Sequence, residues 1–248
     1  TRSVFAVAVW EGWLVSGSQD HDVRVWEVGG GQCVRTLEGH TDQVFALAVN
    51  GNTLLSGSMD KTIRVWRLEG FPSTWQCERT LIGHTDSVLA LAWWGSKGVS
   101  GCKSGAIRVW DLSTGECERT LQGHTDAVEA LVVREGRLMS ASWDKSVRAW
   151  CLESGACVRV VSAFPSDSEQ YIACLAISGR KLVGGSGSVE IDESSEYEVV
   201  VWELETLAEE RRLKQPAGQE VYSLLAMDGE VWGGVGRHAA VWGRKGGG

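Results

Sequence analysis

Apolar residues alternate with small or polar residues in a stretch, residues 39–66, that predicts three antiparallel strands. The first strand, VFALAV, spans residues 44–49 and is followed by an NGN turn. The second, LLSGS, spans residues 54–58 and leads through an MDK turn into the third, TIRVW, which ends at Trp66. Apolar residues with a period of two, separated by turns of Asn, Gly and Asp, are typical of an antiparallel meander.

This stretch recurs along the chain. Its opening, GHTD, starts at Gly39, Gly83 and Gly123, and weaker copies without it precede and follow these three. A period near 40 residues, with a GH opening and a strand-ending Trp, resembles the WD-repeat family of β-propellers, and the resemblance covers essentially the whole chain. The strand-ending residues are Trp26, Trp66, Trp110, Trp150, Trp202 and Trp242, spaced 40, 44, 40, 52 and 40 positions apart.

The resemblance implies an all-β protein, a WD-repeat β-propeller with six blades of four antiparallel strands in which the last blade lacks its outer strand. The unbroken period indicates one propeller over residues 1–242, followed by a Gly-rich tail at 243–248. The 31 glycines and three prolines fit short strands joined by turns and argue against long helices. The expected blades span about residues 4–37, 44–81, 88–121, 128–161, 171–213 and 221–242.

Strict alternation along the first strand of a blade predicts which side chains share a face. It places Val44, Ala46 and Ala48 on one face, and Phe45 and Leu47 on the other. One of these faces must form the core between neighbouring blades.

The charge balance narrows the class of partner. The formal net charge is −8, and the chain has no Lys/Arg cluster of the kind that displaces counterions from nucleic acid. A protein or peptide partner is therefore expected, and a basic one suits the balance best. No nucleic acid and no cofactor are expected, and no membrane partner, because no run of about 18 apolar residues occurs. The sequence does not specify an oligomeric state.

The seven cysteines favour a reducing compartment, the cytoplasm or the nucleus. Four of them occupy one position of the repeat, so they are expected on different blades, too far apart for disulfides. No CxxC pair is present, and no metal site is expected. These four residues are Cys33, Cys77, Cys117 and Cys157.

His, Ser and Asp recur together at the same repeat positions, which allows two interpretations. A hydrolase would need such a trio once, in one active site, whereas here the trio repeats. The resemblance implies instead a buried hydrogen-bond chain that ends on the indole N–H of the strand-ending Trp, so no catalytic residue and no enzyme are expected. The chain members are His40, Ser56, Asp60 and Trp66; His84, Ser100 and Trp110, with Ser104 in place of the Asp; and His124, Ser140, Asp144 and Trp150.

Two positions in each repeat are expected at the mouth of the propeller, on its top face. They are the second residue of the first strand and the residue before the Asp of the turn between the second and third strands. Propellers that resemble this chain bind peptides there, although an aromatic residue at such a position can also be packing. The residues at the first position are Phe5, Phe45, Leu89, Glu129, Ile172 and Tyr222, and those at the second are Gln19, Met59, Lys103 and Trp143.

The fifth repeat carries an enlarged acidic loop at residues 186–198. One interpretation is the capture of a Lys/Arg-rich segment, and the other is a solvated excursion of Ser/Glu composition. The acidic residues are Glu190, Asp192, Glu193, Glu196 and Glu198.

These observations predict a non-enzymatic scaffold for protein–protein interactions that binds peptide or protein partners on the top face. The short second strands, such as LLSGS, resemble those of propellers attached to ubiquitin-ligase adaptors and signalling kinases, which implies substrate recruitment to a ubiquitin ligase. The alternative is a structural assembly scaffold that uses its side and bottom surfaces, including the insertion Phe71–Trp75.

Overall fold

Short strands joined by tight turns form the regular structure of the chain. The computed structural model describes residues 2–68, 75–188, 197–215, 221–227, 230–235 and 238–242. The predicted Gly-rich tail and part of the acidic loop lie outside these residues. Within these ranges, no helix is long and apolar enough to cross a membrane.

The chain divides into two compact units, Thr1–Gly123 and His124–Gly248. The first unit contains three four-stranded antiparallel sheets, each with its strands in chain order, β1 to β4, β5 to β8 and β9 to β12. The strands are β1 (Val4–Trp10), β2 (Trp13–Ser18), β3 (Val23–Glu27), β4 (Cys33–Leu37), β5 (Val44–Asn50), β6 (Thr53–Ser58), β7 (Ile63–Arg67), β8 (Gln76–Leu81), β9 (Val88–Trp94), β10 (Lys97–Cys102), β11 (Ile107–Asp111) and β12 (Cys117–Leu121).

The second unit repeats this arrangement. It contains two four-stranded sheets, β13 to β16 and β17 to β20, and a sheet whose described part has three strands, β21 to β23. The strands are β13 (Val128–Arg134), β14 (Arg137–Ser142), β15 (Ser146–Cys151), β16 (Cys157–Ser162), β17 (Gln170–Ser178), β18 (Lys181–Ser188), β19 (Glu198–Glu203), β20 (Glu209–Lys214), β21 (Val221–Met227), β22 (Glu230–Val235) and β23 (His238–Trp242).

A β-bulge interrupts the first strand of every sheet. In β5, Val44 pairs with Ser58 and Ala46 with Gly57, so Phe45 has no partner in the register. Such a bulge turns the extra side chain out of the regular alternation. The bulged residues are Phe5, Phe45, Leu89, Glu129, Ala173 and Tyr222.

The bulge makes the strict alternation predicted for β5 wrong. Val44 and Leu47 belong to one apolar cluster with Val49, together with residues of the sheet β1–β4. The extra residue at Phe45 shifts the following positions by one, so Leu47 lies on the face of Val44 rather than on the face of Phe45.

Neighbouring sheets within a unit pack through these first strands. Val44 is fully buried and lies against Gly17 of β2, where an added Cβ would come within 2.6 Å of Val44 Cγ1. Gly57 of β6 and Val88 of β9 repeat this contact at 2.6 Å. Glycine at this position therefore lets the next sheet approach closely.

Candidate functional site

The predicted hydrogen-bond chain is present in the sheet β5–β8. The indole Nε1 of Trp66 donates to Ser56 Oγ at 2.8 Å, and Ser56 Oγ lies 2.7 Å from His40 Nε2. His40 Nδ1 lies 2.7 Å from Asp60 Oδ2. The tautomer that satisfies every group has Nδ1–H donating to the carboxylate and Nε2 accepting the Ser56 hydroxyl. The chain thereby joins the loop before β5 to β6 and β7.

Asp60 also organises the turn between β6 and β7. Its carboxylate accepts hydrogen bonds from the N–H of Thr41 at 3.1 Å, and from the N–H and Oγ1 of Thr62 at 2.9 and 2.6 Å. Burial opposes ionisation of this carboxylate, but the bonds from His40 and Thr62 outweigh it and hold the pKa of Asp60 well below its usual range. The carboxylate is therefore ionised and engaged by several donors.

The sheet β13–β16 repeats the same chain. Trp150 Nε1 donates to Ser140 Oγ at 2.8 Å, His124 Nε2 lies 2.7 Å from that oxygen, and His124 Nδ1 lies 2.7 Å from Asp144 Oδ2. Burial opposes ionisation of Asp144, but bonds from His124 and Ser146 hold its pKa well below the usual range.

The sheet β9–β12 has the chain without its acidic end. Trp110 Nε1 donates to Ser100 Oγ at 2.7 Å, and His84 Nε2 lies 2.6 Å from the same oxygen. His84 Nδ1 is buried and has no hydrogen-bond partner among the described residues. Burial, with the nearby Arg108 charge, lowers the pKa of His84 to about 4. Ser104, at the position of Asp60, lies instead 3.1 Å from Cys102 Sγ through its Oγ.

The first and fifth repeats depart further from the pattern. In the sheet β1–β4, Trp26 Nε1 donates to Ser16 at 2.8 Å, and the Asp20 carboxylate accepts from Arg24 at 2.7 Å. In the sheet β17–β20, Gly184 occupies the serine position. A Cβ there would come within 2.9 Å of the Trp202 ring, so that ring fills the space a serine would need.

The buried geometry argues against the hydrolase interpretation. Ser56 and Ser140 are fully buried, and each Oγ already accepts an indole N–H and contacts a histidine. A nucleophile must reach a substrate carbonyl, and neither hydroxyl is accessible to one. The geometry therefore fits a structural chain.

The bulged residues of the first unit occupy the same position in three sheets, and we call Phe5, Phe45 and Leu89 the Phe patch. The rings of Phe5 and Phe45 stack with centroids 4.6 Å apart and an interplanar angle of 29°. Phe5 is exposed, while Phe45 and Leu89 are partly exposed. The patch lies at the sheet edges that carry the turns of Gln19, Met59 and Lys103, and Lys103 is exposed.

The turns beside the bulges are anchored by the backbone in the same way in both units. Met59 N–H donates to the carbonyl of Gln43, and Trp143 N–H to that of Ala127, each at 2.9 Å. Gln19 and Lys103 make the equivalent bonds to Ser3 and Ser87, also at 2.9 Å. In these four repeats, the second predicted position is therefore held at a fixed distance from the start of the first strand.

In the second unit, aromatic residues meet at the equivalent edge, and we call Trp143 and Tyr171 the Trp patch. Their ring centroids lie 4.9 Å apart, with both side chains partly exposed. Trp143 Nε1 is buried without a hydrogen-bond partner among the described residues. Of the other predicted residues in this unit, Glu129 is partly exposed and Tyr222 is exposed.

The prediction for the fifth repeat was displaced by one residue. Ile172 pairs with Ser186 as Val44 pairs with Ser58, and it is buried in the core. The bulged residue is Ala173. Tyr171, which lies at neither of the two predicted repeat positions, contacts Trp143. The register places Gly184 at the position of Ser56 and Leu175 at the position of Leu47, so Ala173 is the equivalent of Phe45.

Most of the acidic loop lies outside the described residues. This applies to Glu190, Asp192, Glu193 and Glu196. Glu198 is described and is buried, with its carboxylate 2.6 Å from Arg212 Nη1. Glu198 is thus an internal ion-pair partner rather than part of an exposed acidic surface.

Each unit also has a cleft at the opposite sheet edge, between neighbouring sheets. In the first unit a cleft of about 490 Å³ includes Asn50, Arg79 and Trp93 in its lining. In the second unit a cleft of about 440 Å³ includes Arg134, Arg137 and Arg180. The arginines are balanced by acids, since Arg137 lies 2.6 Å from Glu205.

Cysteines and metal-ligating groups form no centre in the described part of the chain. The seven cysteines, all within the described ranges, form no disulfide. No group of three or more His, Cys, Asp or Glu side chains in those ranges could hold a metal ion.

Comparison with known proteins identifies the architecture. The family profile described as "WD domain, G-beta repeat" matches residues 2–27, 31–67, 75–111 and 115–151, which together exceed half of the chain. The protein belongs to the WD-repeat family. The predicted all-β propeller class is confirmed, with about six blades. The fifth and sixth repeats, which lack the histidine chain, lie outside these profile matches.

Solved structures share the WD-repeat fold with this chain. The computationally designed Ika8 protein is 29% identical, with a TM-score of 0.78 over 98% of this chain and 71% of the designed chain. A chain of the mitotic checkpoint complex is 22% identical, with a TM-score of 0.81 over 97% of this chain and 74% of that chain. A comparison with curated protein sequences gave no match.

Proposed function

We propose that this WD-repeat protein is a non-enzymatic scaffold that binds extended peptide segments of other proteins at the sheet edges that carry its bulged residues. The observation that supports this proposal is the repeated β-bulge, which turns one side chain in each sheet out of the regular alternation of the first strand. Members of the WD-repeat family typically bind proteins or peptides and are generally not enzymes.

The Phe patch and the Trp patch supply the contacts expected of such a site. Large aromatic side chains on a rigid framework contribute most of the energy at protein interfaces. Phe5 and Phe45 are already stacked, and Trp143 already contacts Tyr171, so binding requires little ordering on this side. The buried, unpartnered Trp143 Nε1 is a donor that a peptide carbonyl would satisfy on reaching it.

The charge of the chain favours a basic partner. The net charge is −8, and Glu129 is the bulged residue of the sheet that carries Trp143. A peptide that combines an apolar residue with Lys or Arg would match both the aromatic contacts and the overall field.

The test is peptide-array capture by the wild type and by Phe45→Ala, Trp143→Ala and the double variant. Circular dichroism checks that each variant remains folded. The matched control is Val34→Ala/Val160→Ala, which truncates exposed valines of β4 and β16 away from both patches. We expect at least a tenfold loss of capture in the double variant and no change in the control, because truncation of a hot-spot aromatic costs about 2 kcal/mol.

The single variants show which unit binds. Loss with Phe45→Ala alone assigns the peptide to the Phe patch, and loss with Trp143→Ala alone assigns it to the Trp patch. Unchanged capture by the folded double variant would overturn the proposal.

Substrate recruitment to a ubiquitin ligase is the specific form of this proposal, based on the likeness of the second strands to those of ligase adaptors. It predicts that a protein captured through Phe45 or Trp143 is ubiquitylated more slowly in an extract containing the double variant. Equal rates with wild type and double variant would contradict it. A reducing compartment, the cytoplasm or the nucleus, belongs to the same proposal and fits seven cysteines without a disulfide.

A second candidate is an assembly scaffold that uses the opposite sheet edges. The observation that favours it is the cleft lined by Arg134, Arg137 and Arg180 in the second unit. Partner capture that is lost with Arg137→Ala and Arg180→Ala but survives Phe45→Ala/Trp143→Ala would support this function instead.

A further inference from the structure

The turn between β10 and β11 has the same backbone hydrogen bonds as the turn between β6 and β7. The N–H of Gly105 donates to the carbonyl of Cys102 at 3.0 Å, and the equivalent bond between β6 and β7 measures 3.1 Å. The N–H of Cys102 donates to the carbonyl of Ala106 at 3.1 Å, against 3.3 Å for the equivalent bond. The side chain of Ser104 therefore leaves the backbone at the place where that of Asp60 does.

His84 faces this turn in the same orientation as His124 faces the turn of its own sheet. The ring centroids of His84 and Trp110 lie 5.7 Å apart with an interplanar angle of 57°, and those of His124 and Trp150 lie 6.1 Å apart at 58°. Nε2 of each ring contacts the serine hydroxyl, so Nδ1 points towards the turn. His124 Nδ1 meets the Asp144 carboxylate there at 2.7 Å, whereas His84 Nδ1 is buried without a partner among the described residues.

Backbone N–H groups complete the set of donors that surrounds the aspartate. In the sheet β13–β16, the N–H groups of Thr125 and Ser146 donate to the Asp144 carboxylate at 3.2 and 2.9 Å. The residues at these two positions in the sheet β9–β12 are Thr85 and Ala106, and both have a backbone N–H. This sheet therefore keeps the donors of a carboxylate but supplies no carboxylate of its own.

The division of these donors between two oxygen atoms favours a carboxylate over a halide ion. Oδ2 of Asp60 lies 2.7 Å from His40 Nδ1 and accepts the N–H of Thr41 at 3.1 Å. Oδ1 accepts the N–H of Thr62 at 2.9 Å. A carboxylate offers two oxygens at a fixed separation, so it can engage both groups of donors at once.

The surroundings of Ser104 are positively charged and open to solvent. Burial and the positive charge of Arg108 together lower the pKa of His84, and the same charge attracts an anion placed beside the ring. Lys103 precedes Ser104 in the turn, and the side chains of Lys103, Ser104 and Thr85 are exposed. An anion from solvent would therefore approach His84 from the side of Ser104.

We infer that the turn of Ser104 binds a carboxylate group that is supplied from outside the chain. This group would take the place that the aspartate carboxylate has in the sheets β5–β8 and β13–β16, and accept from His84 Nδ1–H and from the N–H groups of Thr85 and Ala106. Its source is a small free carboxylate or an acidic side chain of a bound peptide, because both present the same two oxygens. The site does not depend on peptide binding at the Phe patch.

The test is a titration of the wild type with sodium formate, the smallest carboxylate, followed by nitrogen-15 NMR of the His84 ring at pH 7. Sodium chloride of equal ionic strength is the reference, and His84→Gln assigns the signals. We expect a saturable shift with a dissociation constant of about 10 mM. At about 100 mM formate, the midpoint of thermal unfolding should rise by about 4 °C relative to chloride.

Ser104→Asp tests whether formate binds at this turn. The new carboxylate occupies the site from within the chain, so the shift of the His84 signals with formate should disappear. The matched control is Ser96→Asp, which places the same charge on an exposed residue in the turn between β9 and β10. This control should respond to formate like the wild type.

Asp60→Ser should create a second site of the same kind in the sheet β5–β8. Formate should then shift the ring signals of His40, which it leaves unchanged in the wild type, and should recover part of the lost thermal stability. If this variant fails to fold, the comparison of Ser104→Asp with Ser96→Asp decides the question.

A second titration identifies the source of the carboxylate. The probe is an aspartate-containing tripeptide, Gly-Asp-Gly, with both ends blocked. A shift of the His84 signals with the tripeptide assigns the site to acidic side chains of peptides, and a shift with formate alone assigns it to free anions. His84 signals that neither probe moves, or a formate response that survives in folded Ser104→Asp, would overturn the inference.

Discussion

The sheets β5–β8 and β9–β12 share most elements of the repeat, yet the turn between the second and third strands has an acidic residue in the first sheet and none in the second. In the first, Asp60 closes the chain from Trp66 through Ser56 and His40. In the second, Ser104 takes its place, and the buried Nδ1 of His84 is left without a partner among the described residues. Both sheets fold to the same register, so the carboxylate is an addition to the fold rather than its cause.

This difference shows what each part of the repeat contributes to the structure. The Ser–Trp and Ser–His bonds persist without the acid, at 2.7 and 2.6 Å in the sheet β9–β12. Strand pairing and the buried tryptophan therefore place the histidine, and the aspartate fixes the turn and satisfies the imidazole. This separation can be tested by exchanging the residues.

Conversion of the complete sheet into the incomplete one should have the largest effect. Asp60→Ser removes the acceptor of bonds from His40, Thr41 and Thr62, so we expect a loss of roughly 3–5 kcal/mol, because several donors lose their partner together at about 1–3 kcal/mol each. Urea unfolding measures it. The control is Asp42→Ser, whose carboxylate accepts the N–H of Gln43. Equal losses in both variants would contradict the special role of Asp60.

His84 in the sheet β9–β12 should make the free energy of unfolding depend on pH. Burial, with the Arg108 charge, holds the pKa of His84 at about 4, below its ordinary value of 6.5, so the unfolded chain binds the proton more readily. The stability that neutral, buried His84 gives the folded state is complete above pH 6.5. It is lost as pH falls towards about 4, by about 3 kcal/mol in total. Unfolding at a series of pH values measures this slope. His84→Ala should flatten it, and an unchanged slope in that variant would exclude His84 as its source.

Removal of the histidine should cost more in a complete sheet than in the incomplete one. His124→Ala leaves Asp144 and Ser140 buried without their partner, and we expect a loss of roughly 1–3 kcal/mol. His84→Ala leaves Ser100 alone, so its loss should be smaller by about 1 kcal/mol. Thermal denaturation of both variants at pH 7 provides the comparison. Unchanged stability of His124→Ala would refute a structural role for the chain.

Restoring an acidic residue to the turn between β10 and β11 should stabilise the sheet β9–β12. Ser104→Asp places a carboxylate at the position of Asp60, where it can accept from His84 Nδ1, and we expect a gain of about 1–2 kcal/mol. Nitrogen-15 NMR should show His84 as the Nδ1–H tautomer. Ser104→Asn is the neutral control of the same shape, and an equal gain in both would mean that the charge is irrelevant.

The turn residue after the aspartate should give the smallest effect. Lys61 adopts a φ of 69° in the left-handed region, whereas the third sheet has Gly105 there at 85°. Lys61→Gly relieves strain of about 1 kcal/mol but adds freedom to the unfolded chain, so we expect a net gain of about 0.5 kcal/mol. Gly105→Lys should show the opposite sign in the same unfolding assay, and a loss in both variants would contradict the strain argument.

The sequence by itself determined the WD-type architecture and the hydrogen-bond chain. The architecture follows from strands of period two, turns of Asn, Gly and Asp, and a period near 40 residues, whereas the hydrogen-bond chain is what the resemblance to the WD-repeat family implies for His, Ser, Asp and Trp at these repeat positions. Because each repeat encodes one sheet, residues such as His40, Ser56 and Trp66 could be assigned before their distances were known. The absence of an acidic residue beside His84 could also be predicted from the sequence, because Ser104 occupies the position that Asp60 has in its own repeat.

Tertiary structure alone decided which side chains face outward. A β-bulge is a property of the pairing between two strands, so the sequence of β5 alone predicted a strict alternation that Leu47 breaks. The same effect displaced the prediction from Ala173 to Ile172 and hid the contact of Tyr171 with Trp143. Burial of the first residue of each first strand likewise depends on what packs against it, because Val4 and Val44 have the same local sequence pattern and opposite burial.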